Sequence, residues 1–198
     1  MRILLGLLIL TLTSCATTET TAPLAQSKPI PTEKRQQTLS SIQNWNLQGA
    51  IGIRTPQDNV SASLNWQQRN TAYTIAMDAP LGAGSFILTG QPGHVNLAMS
   101  NGQRFTANSP ETLLAEQLHW RLPVSNMYYW VRGLPVPSIA SQKRLDEYGH
   151  IVELDQAGWQ IHYLGFTTIN GIDVPSKLTL NTSSSISVRV VINKWVLS

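Results

Sequence analysis

From Trp45 onward the chain alternates apolar and polar residues with a period of two, and it does so three times in succession. Trp45, Leu47, Gly49, Ile51 and Ile53 share one side of an extended segment; Asn46, Gln48 and Ala50 share the other. After the turn Pro56-Gln57-Asp58-Asn59, the residues Val60, Ala62, Leu64 and Trp66 alternate with Ser61, Ser63, Asn65 and Gln67. Tyr73, Ile75 and Met77 then alternate with Thr74, Ala76 and Asp78. Successive side chains of a strand point to opposite faces, so each segment has one greasy and one wet face. That is the signature of an antiparallel sheet packed on one side only.

The pattern continues beyond these three. A loop at 79–84 leads to a strand from Ser85 to Thr89, and Pro92-Gly93 turns into the alternating Val95, Leu97 and Met99. Asn101-Gly102 is a hairpin signal, with a return through Gln103 to Ala107. Strands resume at His150–Asp155, Trp159–Phe166, Ser176–Asn181 and Ile186–Leu197, about nine or more in all. Helices are few. One is expected over Thr32–Asn44 with Thr32 as its cap. Ser109-Pro110-Glu111 opens another, with Leu113, Leu114, Gln117, Leu118 and Leu122 along one side and Pro123 at its end. Ser125 is expected to cap a last one carrying Met127, Tyr128, Trp130 and Val131, closed by Gly133 and Pro135.

A sheet of that size curls, and its apolar face has to be covered. The short helices suit a lid better than a filling. The pattern therefore points to a cup with an apolar interior, a usual container for a lipid. A sheet packed solid against its helices satisfies the same pattern. Candidate cavity lining is Trp45, Leu47, Leu64, Trp66, Ile75, Met77, Met99, Met127 and Trp130. Methionine suits such a wall because its flexible thioether adapts to varied apolar partners.

The N-terminus addresses the chain. Arg2 precedes an apolar run, Ile3–Leu12, of about ten residues, half of what spans a bilayer. Leu12-Thr13-Ser14-Cys15 follows, the pattern of a bacterial lipobox, whose Cys sulfur receives a diacylglycerol. Residues 1–14 are thus expected to be a lipoprotein signal peptide. Residues 15–31 are expected to be the lipidated Cys15 with a Thr-, Ala- and Pro-rich linker, and 32–198 a single domain. Ala16 is not the Asp that retains lipoproteins at the inner membrane, so the outer membrane is the expected destination. Cys15 is the sole cysteine, which leaves no disulfide.

Charge and motifs narrow the function. Fourteen basic side chains face 11 acidic ones, and charged residues make up 13% of the chain. That balance does not suit a nucleic-acid partner. His94, His119, His150 and His162 lack metal-ligand spacing, and the carboxylates are scattered along the chain. No Gly-x-Ser-x-Gly, Ser-x-x-Lys, phosphate loop or dinucleotide fingerprint occurs. His162 lies opposite the apolar register of its strand and is expected to face solvent. Neither an enzyme nor a bound cofactor or metal is expected.

Six stretches occur in order: Trp45-Asn46-Leu47-Gln48-Gly49; Ser61-Ala62-Ser63-Leu64-Asn65-Trp66-Gln67-Gln68; Ala79-Pro80-Leu81-Gly82; Gly102-Gln103-Arg104-Phe105-Thr106-Ala107; Trp130-Val131-Arg132-Gly133-Leu134-Pro135; and Ile192-Asn193-Lys194-Trp195. With the lipobox, this ordered set resembles the LolB family of outer-membrane lipoproteins over nearly the whole mature chain. The resemblance implies an incomplete antiparallel β-barrel with a helical lid, related to the periplasmic carrier LolA, and a monomer. It implies that lipoprotein cargo passes from LolA into the cavity by its acyl chains and then into outer-membrane lipid, without a nucleotide. It also assigns membrane insertion to a protruding loop, here Pro80, Leu81 and Gly82, with Leu81 exposed. Pro80 and Gly82 suit the second and fourth positions of a type I turn. The alternative is a structural or assembly lipoprotein that binds a protein partner through its sheet.

Overall fold

The computed structural model describes residues 30–80 and 85–198. Cys15, Leu81 and Gly82 lie outside the described residues, as do the expected signal peptide and nearly all of the expected linker. Among the described residues, eleven antiparallel strands form one sheet. The first six are β1 (Asn44–Arg54), β2 (Asn59–Arg69), β3 (Ala72–Asp78), β4 (Phe86–Gln91), β5 (His94–Met99) and β6 (Arg104–Ala107). The remaining five are β7 (Ser141–Leu145), β8 (Ile151–Gln156), β9 (Trp159–Ile169), β10 (Ile172–Thr182) and β11 (Ser187–Leu197). Their spatial order is β6-β5-β4-β3-β2-β1-β11-β10-β9-β8-β7. The chain thus makes two meanders, joined where β1 pairs with β11. β6 and β7 are unpaired edges, so the barrel is incomplete.

Register explains the core. Trp195, Leu47, Trp66, Ile75, Leu88, Leu97 and Phe105 are successive cross-strand partners from β11 to β6. A second row runs Ile53, Val188, Leu180, Ile161 and Leu154 through the other meander. All of these are buried except the half-buried Phe105. The opposite face carries Gly52, Arg189, Thr179, His162, Glu153 and Arg144 in one row. His162 is half-exposed there, beside the Glu153 carboxylate at 3.7 Å. The seam between the meanders bends at a bulge between Gln48 and Gly49. A Cβ on Gly49 would collide with the Val191 carbonyl oxygen, so the close approach requires glycine.

Among the described residues, three helices accompany the sheet: α1 (Thr32–Ser41), α2 (Pro110–Leu118) and α3 (Val124–Trp130). The Ser109 cap forms as expected, its Oγ accepting from the Thr112 amide at 3.2 Å. Other expected termini are corrected. Thr32 is the first residue of α1 and not its cap; its hydroxyl donates to the Gly149 carbonyl instead. α1 stops at Ser41, because Asn44 already pairs with Arg69 in the sheet. α2 stops at Leu118, short of Pro123. His119 turns left-handed there (φ 58°), and the Trp120 amide donates back to the Leu114 carbonyl. Ser125 lies within α3 and does not cap it. Its amide is held by Glu111 Oε1 at 2.8 Å, so the first-turn acid of α2 caps α3.

Candidate lipid-binding site

The inner face of the sheet and the α2–α3 segment enclose a cavity. Ile51, Leu64, Trp66, Ile75, Met77 and Phe86 form its sheet side, and Leu114, Trp120, Leu122, Val124 and Met127 form its helical side. The lining is wholly apolar. Its volume is about 30 Å³, on the order of one water molecule. The lid as it sits nearly fills the cup, so the interior is close to solid packing.

Five of the nine lining residues expected from sequence meet at this cavity: Leu64, Trp66, Ile75, Met77 and Met127. The other four lie elsewhere. Trp45 and Leu47 are fully buried in β1, where the Trp45 ring stands 5.2 Å from Trp66 and 5.6 Å from Trp195. Trp130 is fully buried and donates from Nε1 to Gln156 Oε1 at 2.9 Å. Met99 is half-buried at the end of β5. Trp120, Leu122 and Val124 were not expected at the site. They lie in or next to the coil between the helices, where no period assigns a side chain to a face.

The base of the expected insertion loop is well defined. Met77 pairs with Phe86 across the β3–β4 hairpin. Ser85 Oγ accepts from the Ala79 amide at 3.1 Å, and the Ser85 carbonyl accepts from the Ser100 amide at 3.1 Å. Pro80 is exposed.

The fold also gathers charged groups that are far apart in sequence. Arg35 of α1 donates to Asp173 Oδ2 at 2.9 Å and to the Tyr148 carbonyl at 3.1 Å. His150 Nε2 lies 3.0 Å from the same Asp173 oxygen, and its Nδ1 lies 2.8 Å from Asp146 Oδ2. The Thr168 hydroxyl donates to Asp173 Oδ1 at 2.6 Å. The imidazole stacks on Phe166, centroids 4.2 Å apart. Both ring nitrogens face carboxylates, so neither is placed to activate a nucleophile. The cluster pins α1 to the sheet. Among the described residues, no group of His, Cys, Asp and Glu is arranged to hold a metal.

An open antiparallel sheet with a short helical lid over a small apolar interior defines a class. The fold is similar to that of a LolA superfamily protein of Nitrosomonas europaea (TM-score 0.54, 8% identity, 85% of this chain and 94% of that one). It is similar also to that of a putative outer membrane lipoprotein-sorting protein domain of Vibrio parahaemolyticus (TM-score 0.58, 4% identity, 84% and 91% covered). These likenesses concern the fold alone.

Within that class the sequence is specific. The model of the family described as outer membrane lipoprotein LolB matches residues 43–195. The chain is 43% identical to the outer-membrane lipoprotein LolB of Ectopseudomonas mendocina over 189 residues, 95% of this chain and 92% of the relative. It is 42% identical to that of Pseudomonas fluorescens over 171 residues, 86% and 83% of the two chains. The chain belongs to the LolB family of outer-membrane lipoproteins, a family of trafficking factors and not of enzymes.

Proposed function

We propose that the protein receives acylated lipoproteins from a periplasmic carrier of the LolA kind and inserts them into the outer membrane. The observation that carries this reading is the cavity between sheet and lid. It is apolar on every side, and one of its walls is made of two short helical segments on an otherwise open sheet. Moving α2 and α3 off the sheet would open the cup along the face that carries Leu64, Trp66, Ile75 and Met77. The free energy of acyl-chain burial, about 0.8 kcal/mol per methylene, would offset the apolar burial that the lid gives up on opening.

Cys15 anchors the protein by its own acyl chains, since two or more chains hold a protein stably on a leaflet. Leu81, flanked by Pro80 and Gly82, enters the bilayer to release cargo. Burying one leucine is worth roughly 2 kcal/mol, enough to bias an encounter and too little to anchor. Depletion of the protein tests the reading: outer-membrane lipoproteins should accumulate on their periplasmic carrier. Correct sorting after depletion would overturn it.

A further inference from the structure

A cleft of about 500 Å³ opens to solvent where the β2–β3 and β4–β5 turns approach α2 and α3. Trp66 and Val124 line both this cleft and the inner apolar cavity. The same two side chains therefore partition one from the other. The inner compartment is apolar throughout, whereas the outer one mixes amides, hydroxyls and aromatic rings, among them Gln68, Asn70, Tyr73 and Tyr128.

The cleft has no charged side chain in its lining. Two cations stand beside it, and both donate to backbone: Arg69 Nη1 donates to the carbonyl of the lining residue Gln68 at 2.9 Å. Arg132 lies under the Tyr128 ring at 4.1 Å, but its guanidinium is committed to the carbonyls of Leu39, Ile42 and Tyr128. On the other side, Tyr73 is held protonated by burial and, secondarily, by the negative charge of Glu111. What the region lacks is an acceptor. The hydroxyl of Tyr73, which lines the cleft, is buried without a hydrogen-bond partner. Orphaned donors of this kind are costly and few in native folds. Gly90 makes the Tyr73 position feasible, since a Cβ there would collide with the phenol.

An uncharged carbonyl would satisfy such donors without bringing a charge out of water. A phosphate would lose its hydration, find no cation in the lining and meet the field of Glu111. We propose that this cleft is the head-group subsite for the diacylglyceryl-cysteine of a lipoprotein. Its ester and amide carbonyls seat in the cleft, and its acyl chains pass between Trp66 and Val124 into the interior. Phospholipids, which share the chains and differ in the head, are disfavoured. This rests on the acceptor function above and deepens it: a receptor embedded in a phospholipid surface has to tell cargo from bulk lipid.

The test uses the purified full chain in dilute detergent. Two probes with brominated acyl chains are compared, a triacylated cysteinyl-serine peptide and phosphatidylglycerol, each read by quenching of tryptophan fluorescence. The peptide should quench at about tenfold lower concentration than the phospholipid. Tyr73→Phe keeps the ring and should weaken the peptide about fivefold, the worth of one hydrogen bond, with phosphatidylglycerol unchanged. Thr71→Lys, at an exposed rim position, should strengthen phosphatidylglycerol severalfold. Equal quenching by both lipids, an equal loss for both in Tyr73→Phe, or no gain in Thr71→Lys would overturn the subsite and leave the acceptor function standing. Quenching by neither probe would overturn both.

Discussion

The guanidinium of Arg132, just past the end of α3, donates to the carbonyl oxygen of Ile42, just past the end of α1, at 2.9 Å. It donates also to Leu39 at 3.1 Å and, through Nε, to Tyr128 at 3.0 Å. The last carbonyls of a helix have no partner within it, and here a buried cation from another helix supplies one. Arg132→Met should cost about 2–4 kcal/mol, because these carbonyls then lose a charged donor in a buried setting. Arg132→Lys should recover less than half of that, since an ammonium cannot reproduce the planar fork. Urea denaturation followed by tryptophan fluorescence measures both. An unchanged midpoint in Arg132→Met would show that the bridge adds nothing to stability.

The cluster beneath α1 predicts an acid limb. Burial raises the pKa of Asp146, but hydrogen bonds from the side chain and backbone of His150 outweigh it and leave the carboxyl below its ordinary range. A lowered pKa contributes stability that is present above the unfolded-state value and is lost as pH falls through the folded one. The stability difference between wild type and Asp146→Asn should therefore shrink from about pH 5 toward about pH 2. Denaturation midpoints across that range give the answer; a difference that stays constant would show that Asp146 acts only by shape.

Much of the sheet was legible because its period is short. The row Leu47, Trp66, Ile75, Leu88 and Leu97 is written as every second residue of five successive strands. The features that pattern missed have one cause in common: the physics that makes them is not periodic. β7, Ser-Gln-Lys-Arg-Leu, is an edge strand with no buried side chain, held to β8 by backbone pairing and by the exposed Arg144–Glu153 ion pair. It has no apolar face to announce it. β10 begins at Ile172, four residues before the strand expected at Ser176. Pro175 argues against a strand, yet a bulge accommodates it and its carbonyl accepts from Trp195 Nε1 at 2.8 Å. The α1 pin was invisible for another reason, since Arg35 and Asp173 are separated by 138 positions. The site divides the same way. Leu64, Trp66, Ile75 and Met77 follow from alternation, but the cavity volume depends on how side chains from coil and sheet interdigitate.

Gln156 is one of the buried polar residues that pattern cannot reveal. Its Oε1 accepts from Trp130 Nε1 at 2.9 Å and from the Val136 amide at 2.8 Å. Its Nε2 donates to the carbonyls of Val136 and Ile139 at 3.0 and 2.8 Å. One amide thus fastens α3 and the connector after it to β8. Gln156→Leu has nearly the same volume and leaves all four groups unpaired. A loss of about 2–4 kcal/mol is expected; Gln156→Glu should restore only the accepting side. Thermal unfolding of the variants measures it, and a loss below about 0.5 kcal/mol would count against the fastening role.

The proposed insertion loop offers a separation of steps. Ser85 and the Met77–Phe86 pair fix its base, so a change at Leu81 should leave the sheet intact. Leu81→Glu replaces a favourable transfer to lipid, roughly 2 kcal/mol, with a charge that resists it. Receipt of acylated cargo from the carrier should persist, while insertion into liposomes should fall at least tenfold. Wild-type insertion by this variant would take membrane entry away from Leu81.

Met127 sits on the lid side of the cavity and is 4% exposed. The near-solid interior and the proposed uptake of acyl chains set opposing demands on it. A bulky side chain stabilises the closed state, and the same packing has to break before a chain can enter. Met127→Ala removes three heavy atoms from the lid and enlarges the cavity. It should destabilise the empty protein by about 2–4 kcal/mol, the transfer and cavity terms together. Because an acyl chain can fill the space, the bound state should lose less, and an acylated peptide should raise the unfolding temperature of the variant more than that of wild type. The two shifts are read in parallel melts with and without the peptide. If the peptide raises both proteins equally, Met127 is ordinary core and the chain is held elsewhere.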